Sequence, residues 1–231
     1  MGTAAGGLKE LHELHIKLAS VTKELTDGPK RIQQHRRKVE RLEQEMAEAR
    51  QRVKLMKVAA DQKSLQLKTN EAKIADLTGK LNAASTNREF QIIKSQIDAD
   101  SMANSVLEDE ILEAYEKIDQ SETAIEDTKQ QRDAALQAET KVKAEVEAEI
   151  PGLRADADKL AAALAAAESQ LPAKIRTVYR RLVSAHGASA LAELDGNVCT
   201  ACHALVTPNM LVEINVGKFL FCRSCGRLLY K

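Results

Sequence analysis

A heptad pattern of apolar residues constrains the fold of this chain more than any other feature. Alternating steps of three and four residues from Leu11 to Leu81 give twenty-one positions, and seventeen of them are Leu, Ile, Val, Met or Ala. Such a repeat places one apolar stripe along an α-helix and is typical of a coiled-coil seam. We therefore predict one long helix that packs against a partner helix. The four exceptions in the pattern are Gly28, His35, Lys63 and Asn70.

A second heptad pattern follows a break in the first. Thr86 and Glu89 have the spacing of a capping box, which predicts that a new helix begins near Asn87. The spacing resumes at Phe90 and continues to Ala167, with fifteen of twenty-three positions apolar. Two apolar stripes joined by a short turn can cover each other. The expected fold is thus mostly α: an antiparallel coiled-coil hairpin over residues 8–171, with its turn at about residues 82–88.

Each predicted arm of the hairpin contains one proline. Pro29 and Pro151 lack a backbone N–H, and a proline inside a helix removes one hydrogen bond and bends the axis. The two prolines are equally far from residue 90 along the chain. We therefore expect both arms to kink near these residues.

Four cysteines near the C-terminus form two Cys-x-x-Cys pairs separated by nineteen residues. Two residues between paired cysteines let one turn direct both sulfurs at one ion, and four thiolates complete a tetrahedral site for Zn²⁺. We predict one structural zinc ion with no open coordination position. Two disulfides, a redox pair or an iron–sulfur cluster are the alternatives, and the spacing does not separate the last of these from zinc. The predicted ligands are Cys199, Cys202, Cys222 and Cys225.

Three histidines require an interpretation beside this site. His203 adjoins Cys202, and we interpret it as a turn residue because four cysteines already satisfy the ion. His12 and His15 are three residues apart and share one helical face, but the sequence offers no third ligand nearby. We do not predict a second metal site there.

The residues around the cysteines predict a small β module. Asp195-Gly196 is a hairpin-type turn, and Thr207-Pro208 supplies an N-cap and a first-turn proline for a short helix. A module of this size buries little surface, so the metal should contribute most of its folding free energy. We assign residues 172–231 to a linker helix and a zinc ribbon that begins at about residue 188. The expected elements are a basic helix over 173–184, a strand over 188–194, a helix through 214 and a strand over 219–221.

The charge of the chain is unevenly distributed although its net charge is zero. Residues 173–231 contain eight Lys or Arg and only three acids, which is compatible with contact to nucleic acid or to an acidic protein. Aromatic side chains in this region could stack on bases. The predicted partner contacts are Arg180, Arg181, Lys218, Arg223, Arg227 and Lys231, with Phe219, Phe221 or Tyr230 for stacking.

Other classes of protein fit the sequence poorly. There is no glycine-rich phosphate loop and no histidine placed with a carboxylate and a nucleophile, so we predict no enzymatic activity. No leader peptide is recognisable, and no apolar run approaches eighteen residues. We expect a cytoplasmic protein without membrane contact, present as a monomeric hairpin or a weak dimer.

Four segments carry a family resemblance that covers nearly the whole chain. They are Thr86-Asn-Arg-Glu-Phe-Gln91, Val198-Cys-Thr-Ala-Cys-His203, Pro208-x-x-Leu211-x-Glu213 and Phe221-Cys-Arg-Ser-Cys-Gly-Arg-Leu-Leu-Tyr230. Together they resemble a bacterial family of coiled-coil hairpin proteins with a C-terminal four-cysteine zinc ribbon. The resemblance implies a non-enzymatic adaptor in transcription regulation that binds a protein such as an alternative sigma factor of flagellar regulation. Binding of RNA or DNA is the alternative that it implies.

Overall fold

The computed structural model describes residues 4–231, and the side chains from Gly7 onwards. Two long helices, α1 and α2, precede a short helix α3 and a small mixed region with four strands, which confirms the expected fold class. The helices are α1 (Ala4–Asn82), α2 (Asn87–Ser169), α3 (Ala173–His186) and α4 (Pro208–Asn215). The strands are β1 (Leu191–Asp195), β2 (Val198–Cys199), β3 (Leu220–Phe221) and β4 (Leu228–Tyr230).

The chain divides into two compact units. The first unit contains the residues up to Gln33 together with Lys141–Lys231, and the second unit contains Gln34–Thr140. Within the second unit α1 and α2 run antiparallel. The further along α1 a residue lies, the nearer to the start of α2 its contact lies. Successive contacts across the pair are Val39 with Ala135, Ala60 with Ile118, Lys63 with Glu110 and Lys73 with Asp100.

The heptad frame predicted for α1 is confirmed position by position. All twenty-one side-chain positions from Leu11 to Leu81 are buried or half-buried, including the four that are not apolar. Ala60 and Leu42 are almost completely buried, at 1% and 4% exposure. The seam therefore tolerates Lys63, which reaches out of it to Glu110 at 2.9 Å.

The frame predicted for α2 holds only as far as Val146, and its first position is also wrong. Phe90 is 40% exposed because it lies in the first turn of the helix, directly after the hairpin turn. After Val146 every second buried position lies one residue later than predicted, while Leu153, Leu160 and Ala167 stay on the predicted frame. Two consecutive four-residue steps there replace a heptad by an eleven-residue repeat, which locally relaxes a left-handed supercoil. Glu149, Asp156 and Ala163 are exposed, whereas Ile150, Ala157 and Leu164 are half-buried.

The two prolines lie inside uninterrupted helices. Pro29 is within α1 and Pro151 within α2, so neither of them ends a helix. The shift of the α2 seam occurs next to Pro151, which lacks the N–H that would bond within the helix. The kink in each arm stays a prediction.

The capping box predicted at the start of α2 is present. The backbone N–H of Glu89 donates to Thr86 Oγ1 at 3.2 Å, and the backbone N–H of Thr86 donates to Glu89 Oε2 at 3.3 Å. Two otherwise unpaired donors are thereby satisfied, so α2 begins at Asn87 as predicted. The connection between the long helices is residues 83–86.

Gly28 marks a close approach of α1 to α2 in the first unit. A Cβ atom on Gly28 would lie 2.9 Å from Val146 Cγ1. Exchanging glycine for alanine inside a helix normally stabilises it by about 1 kcal/mol. Here the clash with a stiff β-branched side chain opposes that gain, since overpacking costs about 1–3 kcal/mol.

We expect Gly28→Ala to lower the free energy of unfolding by about 1 kcal/mol. Gly79→Ala is the matched control, because Gly79 also lies in α1 and has no atom within 4 Å of its Cβ position. Urea unfolding should show Gly79→Ala to be neutral or stabilising, and Val146→Ala should recover part of the loss in the Gly28→Ala background. An equal response of both glycines would contradict the close approach.

Residues 173–231, which we call the head, contain a four-stranded sheet that is covered on both faces. The strand order is β2-β1-β4-β3, with β1 parallel to β4 and the outer pairs antiparallel. Successive residues of a strand point to opposite faces. Leu191, Leu228 and Tyr230 therefore pack on one side with Leu8 and Leu11 of α1, and this is the first core cluster.

The opposite face of the sheet packs on the cysteines and α4. Ala192, Leu194 and Leu229 lie in this second core cluster with Met210 and Ile214 of α4. The central strand β4 is thus buried on both faces, as is β1 at Leu191, Ala192 and Leu194, which explains their apolar residues. The head is joined to the ends of both long helices, since Leu164 and Ala167 of α2 also pack against the first cluster.

Most of the head follows the predicted elements, with one correction. The turn at Gly196 joins β1 to β2, and Gly196 has φ 62°, as a two-residue hairpin turn requires. The strand expected over 188–194 is wrong in its first part, where Gly187–Ala190 forms a 3-10 helix. Ser189 there bonds back to His186, a local contact that competes with strand pairing.

None of the helices in the described part of the chain combines the length and apolar character needed to span a bilayer.

Candidate metal centre

Each cysteine pair sits in a turn of the same construction. The residue after each pair has a left-handed backbone, with φ 58° at His203 and 74° at Gly226. Its N–H donates to the carbonyl of the first cysteine of the pair, at 2.8 Å in both turns. The second cysteine of each pair accepts a hydrogen bond from the backbone two residues later, Ala204 for Cys202 and Arg227 for Cys225. Two equivalent turns thus present two sulfurs each.

His203 and Gly226 occupy equivalent positions, so substitutions there should have opposite effects. A left-handed backbone costs a residue with a side chain about 1–2 kcal/mol and costs glycine almost nothing. We expect His203→Gly to stabilise the metal-bound protein by up to about 1 kcal/mol and Gly226→Ala to destabilise it by about 1 kcal/mol.

Thermal unfolding of the metal-bound protein measures both variants. A Cβ on Gly226 would meet no atom within 4 Å, so its cost reports backbone strain alone. Gly152→Ala is the control, because that glycine lies in α2 and its Cβ position is equally open. A loss of stability in His203→Gly would indicate that the imidazole contributes to the site.

The four sulfurs lie close together without being bonded. All four Sγ atoms are within 4.8 Å of one another, with Cys199 to Cys225 at 3.9 Å and Cys202 to Cys222 at 3.7 Å. A disulfide would bring two sulfurs to about 2.05 Å, and the four cysteines are free. Cys199 and Cys222 are buried, whereas Cys202 and Cys225 are half-buried. The cluster can therefore hold one metal ion.

Burial and hydrogen bonds around the sulfurs shift the thiol pKa values in different directions. Burial opposes ionisation of Cys225, but hydrogen bonds from the backbone and side chain of Arg227 and from two thiols lower its pKa to about 6. The backbone hydrogen bond from Ala204 favours the Cys202 thiolate, yet burial and thiol hydrogen bonds outweigh it and raise the pKa of Cys202 to about 12. Burial likewise raises the pKa of Cys199. A bound cation would favour all four thiolates and release their protons.

The basic residues predicted to contact a partner divide into two groups. Three of them are engaged within the protein: Arg180 lies 3.8 Å from Glu168, Lys218 lies 3.4 Å from Glu213, and Arg227 Nε donates to the Ser189 carbonyl at 2.7 Å. The other three are exposed, and within the described residues they form no ion pair: Arg181, Arg223 and Lys231.

The aromatic residues proposed to stack on bases belong to the core of the head. Tyr230 is only 4% exposed and bonds to His12, so the expectation that it stacks on nucleic acid is wrong. Phe219 and Phe221 are half-buried against the first core cluster. Their burial follows from the small size of the sheet, which needs its few aromatics as core.

Two histidine–tyrosine pairs join α1 to the head, and the sequence did not indicate them. His12 Nδ1 lies 2.6 Å from the Tyr230 hydroxyl, and His15 Nε2 is hydrogen-bonded to the Tyr179 hydroxyl. His15 and Tyr179 are buried, at 7% and 0% exposure. The only available signal was the shared helical face of the two histidines, because their partners lie 218 and 164 residues away.

Known structures share this architecture along the whole chain. The CT398 protein of Chlamydia trachomatis matches with a TM-score of 0.78 and 17% identity over 98% of this chain and 97% of that one. The HP0958 protein of Helicobacter pylori matches with a TM-score of 0.72 and 17% identity over 100% and 98%. A protein from Mycobacterium smegmatis matches with a TM-score of 0.54 and 16% identity over the full length of both chains.

These likenesses show the fold. No protein-family model matches the chain, and no curated protein matches it in sequence. The function must therefore be argued from the residues of the head and the helices.

Proposed function

We propose that this protein is a non-enzymatic adaptor that binds a protein partner through its head. The observation that carries the proposal is a set of large apolar side chains that the head leaves in solvent. Helix α4 buries Met210 and Ile214 but leaves Val212 61% exposed, and Val216, directly after the helix, is 69% exposed. Leu205, between the first cysteine pair and α4, is 74% exposed. Other exposed apolar side chains are spread along the long helices, whereas these three fall within twelve residues of the chain, and exposed apolar side chains that form one patch are typical of binding surfaces.

Within this proposal the metal is one Zn²⁺ ion with a structural role. Four thiolates at about 2.3 Å from a zinc ion lie about 3.8 Å apart, which matches the sulfur distances of 3.7 and 3.9 Å. A cluster of several irons would distribute its cysteines over different irons, so the mutual proximity of all four sulfurs favours one ion. Elemental analysis should give one zinc per chain. Iron in equal amount would contradict the assignment.

The same site argues for a structural rather than a catalytic metal. Four cysteine ligands complete a tetrahedral zinc site, and a catalytic zinc needs an open position for water or substrate. We therefore propose that the ion stabilises the fold of the head. The partner then binds a surface that the metal holds in shape.

Affinity capture from the source cells tests whether the partner is a protein. The full chain with zinc is used as bait, and the lysate is divided into nuclease-treated and untreated halves. The proposal expects the same protein to be captured from both halves. Loss of all captured proteins after nuclease treatment would favour nucleic acid instead.

Two variants locate the contact once a purified partner is available. An alternative sigma factor, which the family resemblance implies, is the first probe. Val212→Glu should weaken binding about ten-fold or more, because a buried charge at the centre of an interface is costly. Leu55→Glu is the matched control, since Leu55 in α1 is also 61% exposed. A larger effect of Leu55→Glu would place the contact on the long helices.

Nucleic-acid binding through the head is the alternative function. The exposed residues Arg181, Arg223 and Lys231 support it, although half of the predicted cationic contacts are engaged within the protein. Phosphate contacts release counterions, so the affinity for RNA or DNA should fall steeply as salt rises. Arg223→Glu should reduce that slope, whereas an apolar protein contact should respond little to salt.

A further inference from the structure

The head is attached to α1 through a buried polar contact inside an apolar cluster. His12 and His15 lie one turn apart on α1, and each is hydrogen-bonded to a tyrosine hydroxyl of the head. Tyr230 belongs to β4, next to the C-terminus, and Tyr179 belongs to α3. Leu8 and Leu11 of α1 pack beside these pairs with Leu191 and Leu228 of the head. The two imidazoles are thus the polar part of an otherwise apolar junction.

We propose that His12 and His15 form an acid-sensitive latch that holds the head against α1 while both imidazoles are neutral and releases it when they take up protons.

The surroundings of the two histidines explain why a protonated imidazole destabilises this junction. A neutral imidazole has one donor and one acceptor nitrogen, so it can either accept from or donate to a tyrosine hydroxyl. A protonated imidazole only donates, and its charge would lie among leucine side chains that cannot solvate it. Separation of the head from α1 returns the imidazoles to water. Protonation therefore favours the separated state.

The charged groups around the latch oppose its release without preventing it. His12 faces Tyr230 on β4 and Glu193 on β1, with Glu13 on its own helix. Burial nevertheless outweighs these carboxylates and lowers the pKa of His12 from its ordinary value of 6.5. Burial also raises the pKa of Tyr230 to about 12, so its hydroxyl keeps its proton.

His15 has a similar environment. It faces Tyr179 on α3, Glu168 on α2 and His12 on its own helix, and Glu168 is also close to Arg180. Burial lowers the pKa of His15, and the attraction of Glu168 is insufficient to reverse the shift. Burial raises the pKa of Tyr179. A groove of about 530 Å³ lined by His15, Leu18, Lys23 and Gly187 connects this imidazole with solvent, so protons can reach it.

The direction of the pH effect follows from these shifts. Both histidines bind protons more weakly in the latched state than in the released state, so the latch is fully stabilising above about pH 6.5. Its contribution is lost as the pH falls below 6.5 towards the lowered values. Release would expose the apolar sides of Tyr179, Leu191 and Leu228.

Amide hydrogen exchange of the full chain with its metal tests the latch. We expect protection factors in α3 and β4 to fall about ten-fold between pH ~7.5 and pH ~6.0, the order expected when the buried His15 and the half-buried His12 both take up protons. In the double variant His12→Asn with His15→Gln this fall should disappear. The asparagine and glutamine amides place a nitrogen near the former Nδ1 and Nε2 positions but do not titrate. The exposed His186 provides the control His186→Gln, which should behave as the wild type.

Three results would overturn the proposal: no fall in the wild type, an equal fall in the double variant, or loss of the metal over the same pH interval. A ¹³C titration of the wild-type imidazoles decides the matter even if the double variant does not fold. The latch requires both histidines to titrate below pH 6.5, with the amides of α3 and β4 opening at the same midpoint. Midpoints at or above 6.5 would refute it.

Discussion

Replacing Cys222 with serine is expected to abolish metal binding and to unfold the head. Cys222 is 5% exposed, and its sulfur lies 3.7 Å from that of Cys202. A serine hydroxyl keeps its proton and is not a usual zinc ligand, so the zinc site that we propose would lose one of its four ligands. Structural zinc contributes about 10–16 kcal/mol in small zinc domains, more than the net stability of most domains. The head cannot compensate for a loss of this size.

The effect should extend from the head into the first unit but not into the second. Leu8 and Leu11 of α1 belong to the first core cluster and Leu164 of α2 packs against it, so these helix ends should lose protection when the head unfolds. The second unit, Gln34–Thr140, has clusters of its own. Hydrogen exchange should therefore show loss in residues 173–231 and in the adjoining helix ends, while circular dichroism retains most of the helical signal.

Two controls define the result for Cys222→Ser. Ser224→Ala changes an exposed residue in the same turn and should leave the metal in place. Treatment of the wild type with a chelator should reproduce the variant. Melting of helix α2 at residues 87–140 in the variant would show that the two units do not unfold independently. Retention of one metal per chain in Cys222→Ser would show that three cysteines suffice.

The sequence was most informative where one periodic rule acted over a long distance. The heptad frame of α1 was correct at every position because an unbroken helix keeps its phase for as long as the apolar spacing continues. The same rule failed at every second position of α2 after Val146, in the stretch that contains Pro151. The sequence carried a signal of the shift, since Glu149 and Asp156 occupy positions of the predicted seam whereas Ile150 and Ala157 are apolar.

The candidate metal site was predictable and the surface around it was not. Cysteine spacing alone identified the four residues that the structure brings within 4.8 Å, since the chemistry of such pairs is local. The parallel pairing of β1 with β4 and the histidine–tyrosine contacts depend on residues far apart in the chain. The sequence therefore allowed Tyr230 as a stacking residue, although the sheet buries it.

Truncation of Tyr179 is expected to destabilise the first unit more than any other single change away from the cysteines. Its side chain is completely buried between α1, the end of α2 and the sheet. Replacing a large buried side chain by alanine costs about 3–5 kcal/mol, because the free energy gained by moving its atoms out of water is lost and a cavity remains. Tyr179→Ala also leaves His15 without its partner in a buried position, which adds to the cost.

A graded series separates packing from hydrogen bonding at Tyr179. Tyr179→Phe keeps the ring and removes only the hydroxyl, so it should cost about 1–3 kcal/mol in urea unfolding of the metal-bound protein. Tyr115 in α2 is 44% exposed, and Tyr115→Ala should change stability by less than about 0.5 kcal/mol. If Tyr179→Phe cost as much as Tyr179→Ala, the hydroxyl rather than the ring would hold the head to α1. If both substitutions were neutral, the first core cluster would not be what joins the head to α1.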